Sequence, residues 1–152
     1  MTSDDQATRP LRVLGLDLGS KRIGVAVSDR SGTIATPLTV LARGKSQADD
    51  HRRVAEILVA EEAEAVVVGL PLNMDGTEGR AAKGARAECA RLATVVTVPV
   101  LLHDERLTTV EADRAMMEFR MRAEARRRVV DKVAAAVMLQ SWLDARRLQE
   151  GR

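Results

Sequence analysis

Apolar and polar positions alternate over much of the first forty residues, and a period of two is typical of β-strands. The alternation predicts three strands, at about residues 11–18, 22–29 and 33–41. The segment Asp29-Arg30-Ser31-Gly32 separates the second strand from the third and has the composition of a hairpin turn. Because the connections are short, we expect these three strands to pair in antiparallel fashion.

From about residue 47 the pattern changes to helical periodicity, interrupted by short apolar runs. Helices are predicted at about 47–62, 80–93, 108–117 and 129–148. A branched apolar run predicts a buried, parallel-type strand at about 64–70, followed by a loop at 71–78. A last strand is predicted at about 98–103, and we expect both of these strands to run parallel to the first. This order predicts an α/β fold, a mixed five-stranded sheet with helices on both faces. We expect one domain over residues 10–150, preceded by a disordered tail at 1–9.

Composition narrows the classes of function. The chain has 152 residues, of which 45% are hydrophobic and 30% charged, enough for one substantial core. Phe119 and Trp142 are the only aromatic residues, so stacking platforms for single-stranded bases are not available in number. Formal net charge is only +2, but Arg far outnumbers Lys, which favours forked contacts to phosphate.

The sequence also carries signals about compartment. Cys89 is the single cysteine, which excludes an internal disulfide, and we expect it to be buried as a small hydrophobe. There is no run of about 18 apolar residues that would span a membrane. The polar residues 1–9 lack the apolar segment of a signal peptide. A cytoplasmic protein with no membrane partner is therefore expected.

Asp17 is the first candidate for chemistry, because it stands in the middle of an apolar strand pattern. A buried carboxylate is unfavourable unless it is paired or binds a ligand. Gly19 allows a tight turn just after the acid, and Lys21 and Arg22 place two cations in that turn. An acid at a strand exit followed by a basic turn suggests a phosphate or metal site. The alternative is an acid that faces solvent or caps the turn.

Four segments of the chain together resemble one known family. They are DLGSKRIG at 17–24, VGLPLNMDG at 68–76, DERLTT at 104–109 and DKVAA at 131–135. In this order and spacing the chain resembles the YqgF family, also called RuvX, of ribonuclease H-like proteins, over about residues 11–145. The resemblance implies a ribonuclease H-like fold and a nuclease that trims the 5′ end of the 16S ribosomal RNA precursor. Likeness to RuvC adds a second interpretation, a Holliday-junction resolvase acting on DNA.

Phosphodiester hydrolysis with two divalent metals requires several carboxylates that converge on one point. Asp104 and Glu105 end the last strand, and parallel strands bring their carboxyl ends to the same edge of the sheet as Asp17. Asp131 lies in the first turns of the closing helix, on the stripe that contains Ala135. Its alternative role is a favourable acid near a helix N-terminus.

The two adjacent acids at the end of the last strand should point to opposite faces, so one of them joins the site. We favour Glu105, the acid to which the resemblance points, and keep Asp104 as its support or as the alternative ligand. A salt bridge to Arg106 would be the purely structural role. The predicted catalytic residues and ligands of Mg²⁺ or Mn²⁺ are therefore Asp17, Glu105 and Asp131.

Several polar residues are candidates for contacts to a nucleic acid. A dense basic cluster near the closing helix could hold phosphate backbone. A solvated hairpin, a plain turn or a solvated helix face would explain most of the same residues equally well. The predicted substrate-binding residues are Lys21, Arg22, Asn73, Arg106, Arg126, Arg127 and Arg128.

Other functions stay open at this point. RuvC-like resolvases carry a carboxylate where this chain has Gly69-Leu70-Pro71. A resolvase would also need a homodimer in order to make paired cuts, whereas an RNA nuclease could be a monomer. A further alternative is a non-catalytic RNA-binding factor of ribosome assembly. The segment 17–20 also resembles the first phosphate loop of actin-like and sugar kinases, but 152 residues leave no room for their second half.

Overall fold

The protein is described by a computed structural model that covers residues 11–106 and 127–150, without the side chains of 127–132 and 150. Five strands and three helices follow one another along this part of the chain. In order they are β1 Val13–Leu18, β2 Arg22–Ser28, β3 Ala35–Ala42, α1 Gln47–Ala60, β4 Ala65–Leu70, α2 Arg80–Ala93, β5 Val100–Asp104 and α3 Arg127–Glu150. The predicted tail at 1–9 and the predicted helix at 108–117 lie outside the described residues.

The strands form one mixed sheet in the order β3-β2-β1-β4-β5. The first three strands pair antiparallel, β1 pairs parallel with β4, and β4 pairs parallel with β5. This arrangement confirms the predicted mixed sheet. Its connections explain it, because tight turns join the antiparallel strands whereas helices carry the chain between the parallel ones.

Helices cover both faces of the sheet, as predicted. One face packs Leu14, Leu16 and Val68 against Val54 of α1 and Leu92 of α2. The other face packs against α3, and its main apolar residues are Val13, Ala26, Val67, Ala135, Leu139 and Leu143. Successive residues of a strand point to opposite faces, so the two cores follow directly from the alternation in the sequence.

Close packing of α3 depends on a residue without a side chain. A Cβ built on Gly15 would lie 2.8 Å from Leu139 Cβ, so glycine allows the helix to approach β1. Cys89 is buried on the opposite side of the sheet, as expected, and burial raises the pKa of its thiol to about 11. In the described part of the chain, no helix is both long and apolar enough to cross a membrane.

Local chemistry sets the ends of the elements. The hairpin after β2 is closed by Asp29, whose Oδ1 accepts hydrogen bonds from the N–H groups of Thr33 and Ile34. Helix α1 begins at the N-cap Ser46, whose side chain accepts a hydrogen bond from Asp49 N–H. The strand predicted from residue 98 begins instead at Val100, because Pro99 has no N–H to donate to a neighbouring strand.

Candidate functional site

The face of the sheet that α3 covers carries a row of residues across its three parallel strands. Leu16 pairs with Val68, so Asp17 of β1 lies level with Gly69 of β4, and Gly69 pairs with His103 of β5. His103 is buried and shares a hydrogen bond of 3.1 Å with Ser141 of α3. The central strand β1 therefore places a carboxylate near its C-terminal end, on the face of the sheet that α3 covers.

Glu105 joins Asp17 on this face. It follows β5 directly, and its N–H donates a 3.1 Å hydrogen bond to the carbonyl of Leu70. Its carboxyl group forms a hydrogen bond with the Asp17 carboxyl group. Burial, and then the charge and hydrogen bond of Asp17, raise the pKa of Glu105 from its ordinary 4.5 to about 7. The structure thus brings two of the three predicted metal ligands into contact.

Asp104 points away from this pair. Its carboxylate forms an ion pair with Arg106, 2.7 Å between Oδ2 and Nη2, and accepts a hydrogen bond from the Arg106 N–H. The hydrogen bond with Arg106 is the main reason that the pKa of Asp104 is lowered. Alternation along the strand therefore separates the two acids, and the salt bridge considered for this segment is made by Asp104, whereas Glu105 meets Asp17.

Arg106 also organises the loop that follows β4. Its Nη1 donates a 3.1 Å hydrogen bond to the carbonyl of Met74, so it links Asp104 to residues 71–78. Within that loop the side chain of Asn73 donates to Thr77 Oγ1 at 2.9 Å. Both predicted substrate-binding residues of this region therefore make contacts within the protein.

The two cations of the first turn lie beside Asp17. A pocket of about 200 Å³ is lined by Asp17, Gly19, Ser20, Lys21 and Arg22. The Gly19 N–H donates a 2.9 Å hydrogen bond to the carbonyl of Arg22, and a Cβ on Gly19 would lie only 2.6 Å from that oxygen. Glycine is required for this tight turn, as the sequence indicates. The turn places a small cationic pocket next to the carboxylate pair.

Four predicted site residues belong to the region around the start of α3. Arg126 lies outside the described residues. Arg127, Arg128 and Asp131 belong to the first turns of α3, but their side chains are not among those described. Ala135, one turn beyond Asp131, is fully buried in the core that α3 shares with the sheet. The positions of these four side chains remain predictions.

A buried ionic network on the opposite face of the sheet has no counterpart in the sequence predictions. Arg43 donates to both carboxylate oxygens of Glu88, at 2.6 and 2.9 Å, and to the carbonyl of Gly19 at 3.0 Å. Asp50 accepts from Arg43 at 3.3 Å, and His51 Nε2 lies 2.8 Å from Glu88. Its members come from the end of β3, from α1 and from α2, so no local pattern reveals it. The network fixes the turn that follows Asp17.

The donor chemistry of the carboxylate pair fits a hard divalent cation. Asp17 and Glu105 offer oxygen atoms alone, which Mg²⁺ and Mn²⁺ prefer, and their mutual contact is unfavourable when both are ionised. Among the side chains that the structure describes, no group of three His, Cys, Asp or Glu residues could hold a metal. A third protein ligand would therefore come from a side chain outside that set.

Comparison with solved structures identifies the fold. RuvC of Thermus thermophilus, determined in complex with a Holliday junction substrate, superposes with a TM-score of 0.55 at 19% identity. The match covers 93% of this chain and 96% of that chain. At this identity the likeness establishes the fold, which is that of the RuvC and ribonuclease H-like proteins.

Sequence comparison identifies the family. Residues 11–145 match the RuvX family model, whose description is Holliday junction resolvase. Proteins named "Putative pre-16S rRNA nuclease" are similar to this chain: that of Myxococcus xanthus is 47% identical over 137 residues, covering 90% of each chain. That of Thermoanaerobacter pseudethanolicus is 43% identical over 138 residues, covering 90% of this chain and 99% of its own. The chain belongs to the RuvX family, and the predicted enzyme class, a nuclease that hydrolyses phosphodiester bonds, is confirmed.

Proposed function

We propose that this RuvX-family nuclease depends on divalent metal and processes the 5′ end of precursor 16S ribosomal RNA. The name of the relatives supports the choice of precursor ribosomal RNA as substrate. The observation that carries the metal dependence is the contact between the carboxyl groups of Asp17 and Glu105. The Mg²⁺ or Mn²⁺ site would lie there, with Asp131 as the third ligand and Asp104 as the alternative to Glu105.

Electrostatics explains why this pair favours a cation. Two carboxylates in contact repel one another unless a proton or a cation compensates their charge. Compensation by a proton corresponds to the raised pKa of Glu105, because this group binds a proton more readily than an ordinary glutamate. A divalent cation would replace that proton and attract both groups. The same contact that is unfavourable in the metal-free protein would then become a binding site.

The protein's own residues would mainly position the substrate. Asp17 and Glu105 would set the position of the scissile phosphate through the cations that they hold. Lys21 and Arg22 line the adjoining pocket and would bind a phosphate of the substrate strand. Bound metal ions would supply activation of the attacking water and charge stabilisation at the leaving oxygen.

More distant cations would hold the rest of the substrate. Arg126, Arg127 and Arg128 are proposed to contact phosphate backbone without reading bases, because no aromatic cluster accompanies them in the sequence. The Arg106 side chain is 34% exposed, beside the loop that follows β4. Its exposed N–H groups would donate hydrogen bonds to the substrate. Asn73 would contact the substrate from within that loop. Such an RNA-processing enzyme would act in the cytoplasm and could work as a monomer.

Holliday-junction cleavage is the second candidate function, because the family description names a resolvase. This function would require a homodimer that presents two sites. Gly69 argues against a direct transfer of RuvC chemistry, since the segment that follows it offers no carboxylate at the end of β4. A non-catalytic RNA-binding role in ribosome assembly is the third candidate, and metal-dependent cleavage distinguishes it from the other two.

One experiment separates the three candidates. The protein is incubated with a precursor 16S RNA fragment and with a four-way DNA junction, each with Mg²⁺, with Mn²⁺ and with a chelator. We expect metal-dependent cleavage of the RNA near the mature 5′ end. Paired symmetric cuts in the junction alone would establish the resolvase instead. Binding of RNA without cleavage of either substrate would leave the assembly factor.

A further inference from the structure

The end of β4 lies directly beneath the side chain of Glu105. A Cβ built on Gly69 would overlap Glu105 Oε1 and would lie 2.8 Å from its Cγ and 3.0 Å from its Cδ. The three nearest atoms to this Cβ all belong to Glu105. The volume that a side chain at position 69 would occupy is therefore filled by the glutamate.

Strand order explains why the glutamate needs that volume. Glu105 follows β5, whereas Asp17 belongs to β1, and β4 runs between these two strands. Gly69 lies level with Asp17 on one side and pairs with His103 on the other. The Glu105 side chain must therefore cross β4 at position 69 to reach Asp17. We infer that Gly69 is a positioning residue: its missing side chain forms the slot through which the Glu105 carboxyl group meets Asp17.

Backbone conformation does not explain this glycine. Gly32 and Gly76 have φ values of 71° and 89°, in the left-handed region that favours glycine, whereas Gly69 lies in an ordinary parallel strand. Glycine in the interior of a strand is otherwise unfavourable, since it contributes no packing. The close contact with Glu105 supplies the reason for its presence, and that contact is with a flexible side chain that can move. An alanine should therefore displace the glutamate rather than unfold the strand.

The test compares Gly69→Ala with a matched control, Gly84→Ala in α2, where a built Cβ has no heavy atom within 4 Å. Glu105→Gln and the double variant Gly69→Ala/Glu105→Gln complete the set. The measurements are the crystal structure of Gly69→Ala, the rise in unfolding temperature on addition of Mg²⁺ alone, and kcat and KM for a precursor 16S RNA fragment. The last two measurements rest on the proposed function, whereas the crystal structure does not.

We expect Gly69→Ala to fold, with Glu105 turned away from Asp17 in the crystal. The Mg²⁺-induced rise in unfolding temperature should shrink to that of Glu105→Gln. The kcat should fall by about 100-fold, the loss typical of a misplacement of about 1 Å, while KM for RNA stays within about twofold. Adding Glu105→Gln to Gly69→Ala should cause no further loss, because each change alone already deprives the proposed site of the Glu105 carboxylate. Gly84→Ala should resemble the wild-type protein throughout.

Three results would overturn the inference. One is a Gly69→Ala crystal structure in which Glu105 still contacts Asp17. Another is an unchanged kcat and Mg²⁺ response in that variant. The third is a loss from Gly69→Ala that is equally large with and without Glu105→Gln. If Gly69→Ala does not fold, Gly69→Ala/Glu105→Ala decides: recovery of the fold supports the slot, and failure to recover overturns it.

The proposed function can fail separately. A wild-type protein that neither responds to Mg²⁺ nor cleaves RNA would refute the metal-dependent nuclease. The position of Glu105 in the Gly69→Ala crystal would still decide between the slot and a purely structural role for this glycine.

Discussion

The two faces of the sheet hold buried or partly buried carboxylates in opposite electrostatic surroundings. Beneath α1 and α2, Glu88 is 4% exposed and shares Arg43 with Asp50, which is 2% exposed. Beneath α3, the carboxyl group of Glu105 meets that of Asp17. In the first region the acids face a cation, and in the second they face each other. The comparison separates a group of charges that is paired within the fold from one that we propose to bind a cation.

The pKa values of the two regions move in opposite directions. Burial alone would raise the pKa of Glu88 and of Asp50. Hydrogen bonds outweigh it and lower both pKa values: Glu88 accepts chiefly from Arg43, and Asp50 accepts first from the Gly44 N–H and then from two arginines. For Glu105, burial and the neighbouring Asp17 act together and raise the pKa to about 7. Desolvation thus raises the pKa in both regions, and the hydrogen bonds and charges of the neighbouring groups decide the direction of the net pKa shift.

The largest expected effect is loss of cleavage in Asp17→Asn. This change keeps the size and hydrogen-bonding capacity of the side chain but removes the charge of a proposed ligand. We expect kcat for precursor 16S RNA to fall by at least about 100-fold while the protein stays folded and binds RNA. Single-turnover kinetics and RNA-binding measurements would separate the two effects. Full cleavage by a folded Asp17→Asn protein would refute the proposed mechanism.

Two further variants test which of the adjacent acids, Asp104 or Glu105, is the metal ligand. Glu105→Gln should lose cleavage as Asp17→Asn does, whereas Asp104→Asn should lose much less, because Asp104 pairs with Arg106 and not with Asp17. The reverse ranking would move the ligand from Glu105 to Asp104 and would leave the rest of the mechanism in place.

The next effect concerns the stability of the network. Arg43→Met leaves Glu88 and Asp50 buried without their shared cation, and breaking such a pair is destabilising by roughly 3–5 kcal/mol. Urea unfolding at pH 7 would measure the change. Arg52→Met is the matched control, since the Arg52 side chain is 62% exposed and its ion pairs lie at the surface, where little change is expected. A loss as small as in the control would show that the network does not stabilise the fold.

The fold follows from short-range patterns, which explains why it can be predicted. Turn length decides which strands pair antiparallel, and alternation along the chain assigns Asp104 and Glu105 to opposite sides. The Arg43 network is different, because Arg43 and Glu88 are 45 residues apart and meet only in three dimensions. Gly69 is harder still to predict, since a slot is made by the absence of a side chain. In the sequence it stands out only as a strand end without an acid.

The pH dependence of stability should have opposite signs in the two regions. The pKa values of Glu88 and Asp50 are lowered on folding, so their contribution is present above their ordinary values of 4.5 and 3.8 and is lost as pH falls below them. The pKa of Glu105 is raised, so the metal-free protein should lose stability as pH rises from about 4.5 through about 7.

Glu105→Gln isolates the second of these two trends. Unfolding free energies of the wild-type protein and of Glu105→Gln, measured in chelator between pH 4 and pH 8, should diverge as Glu105 ionises. The wild-type protein should become the less stable of the two above pH 7, and Mg²⁺ should reverse that order. Parallel curves across this range would mean that Glu105 does not ionise beside Asp17.

The smallest expected effect concerns a cation of the site rather than its acids. Arg43 is held by two carboxylates, whereas Lys21 is exposed and lines the pocket beside Asp17. If Lys21 binds a phosphate, Lys21→Gln should weaken RNA binding several-fold and reduce the slope of log affinity against log salt by about 0.7–0.9, the release of one counterion. Lys83→Gln, an exposed lysine on α2, should change neither quantity. Equal effects of the two variants would mean that Lys21 contributes only general charge, and that the pocket beside Asp17 holds no phosphate.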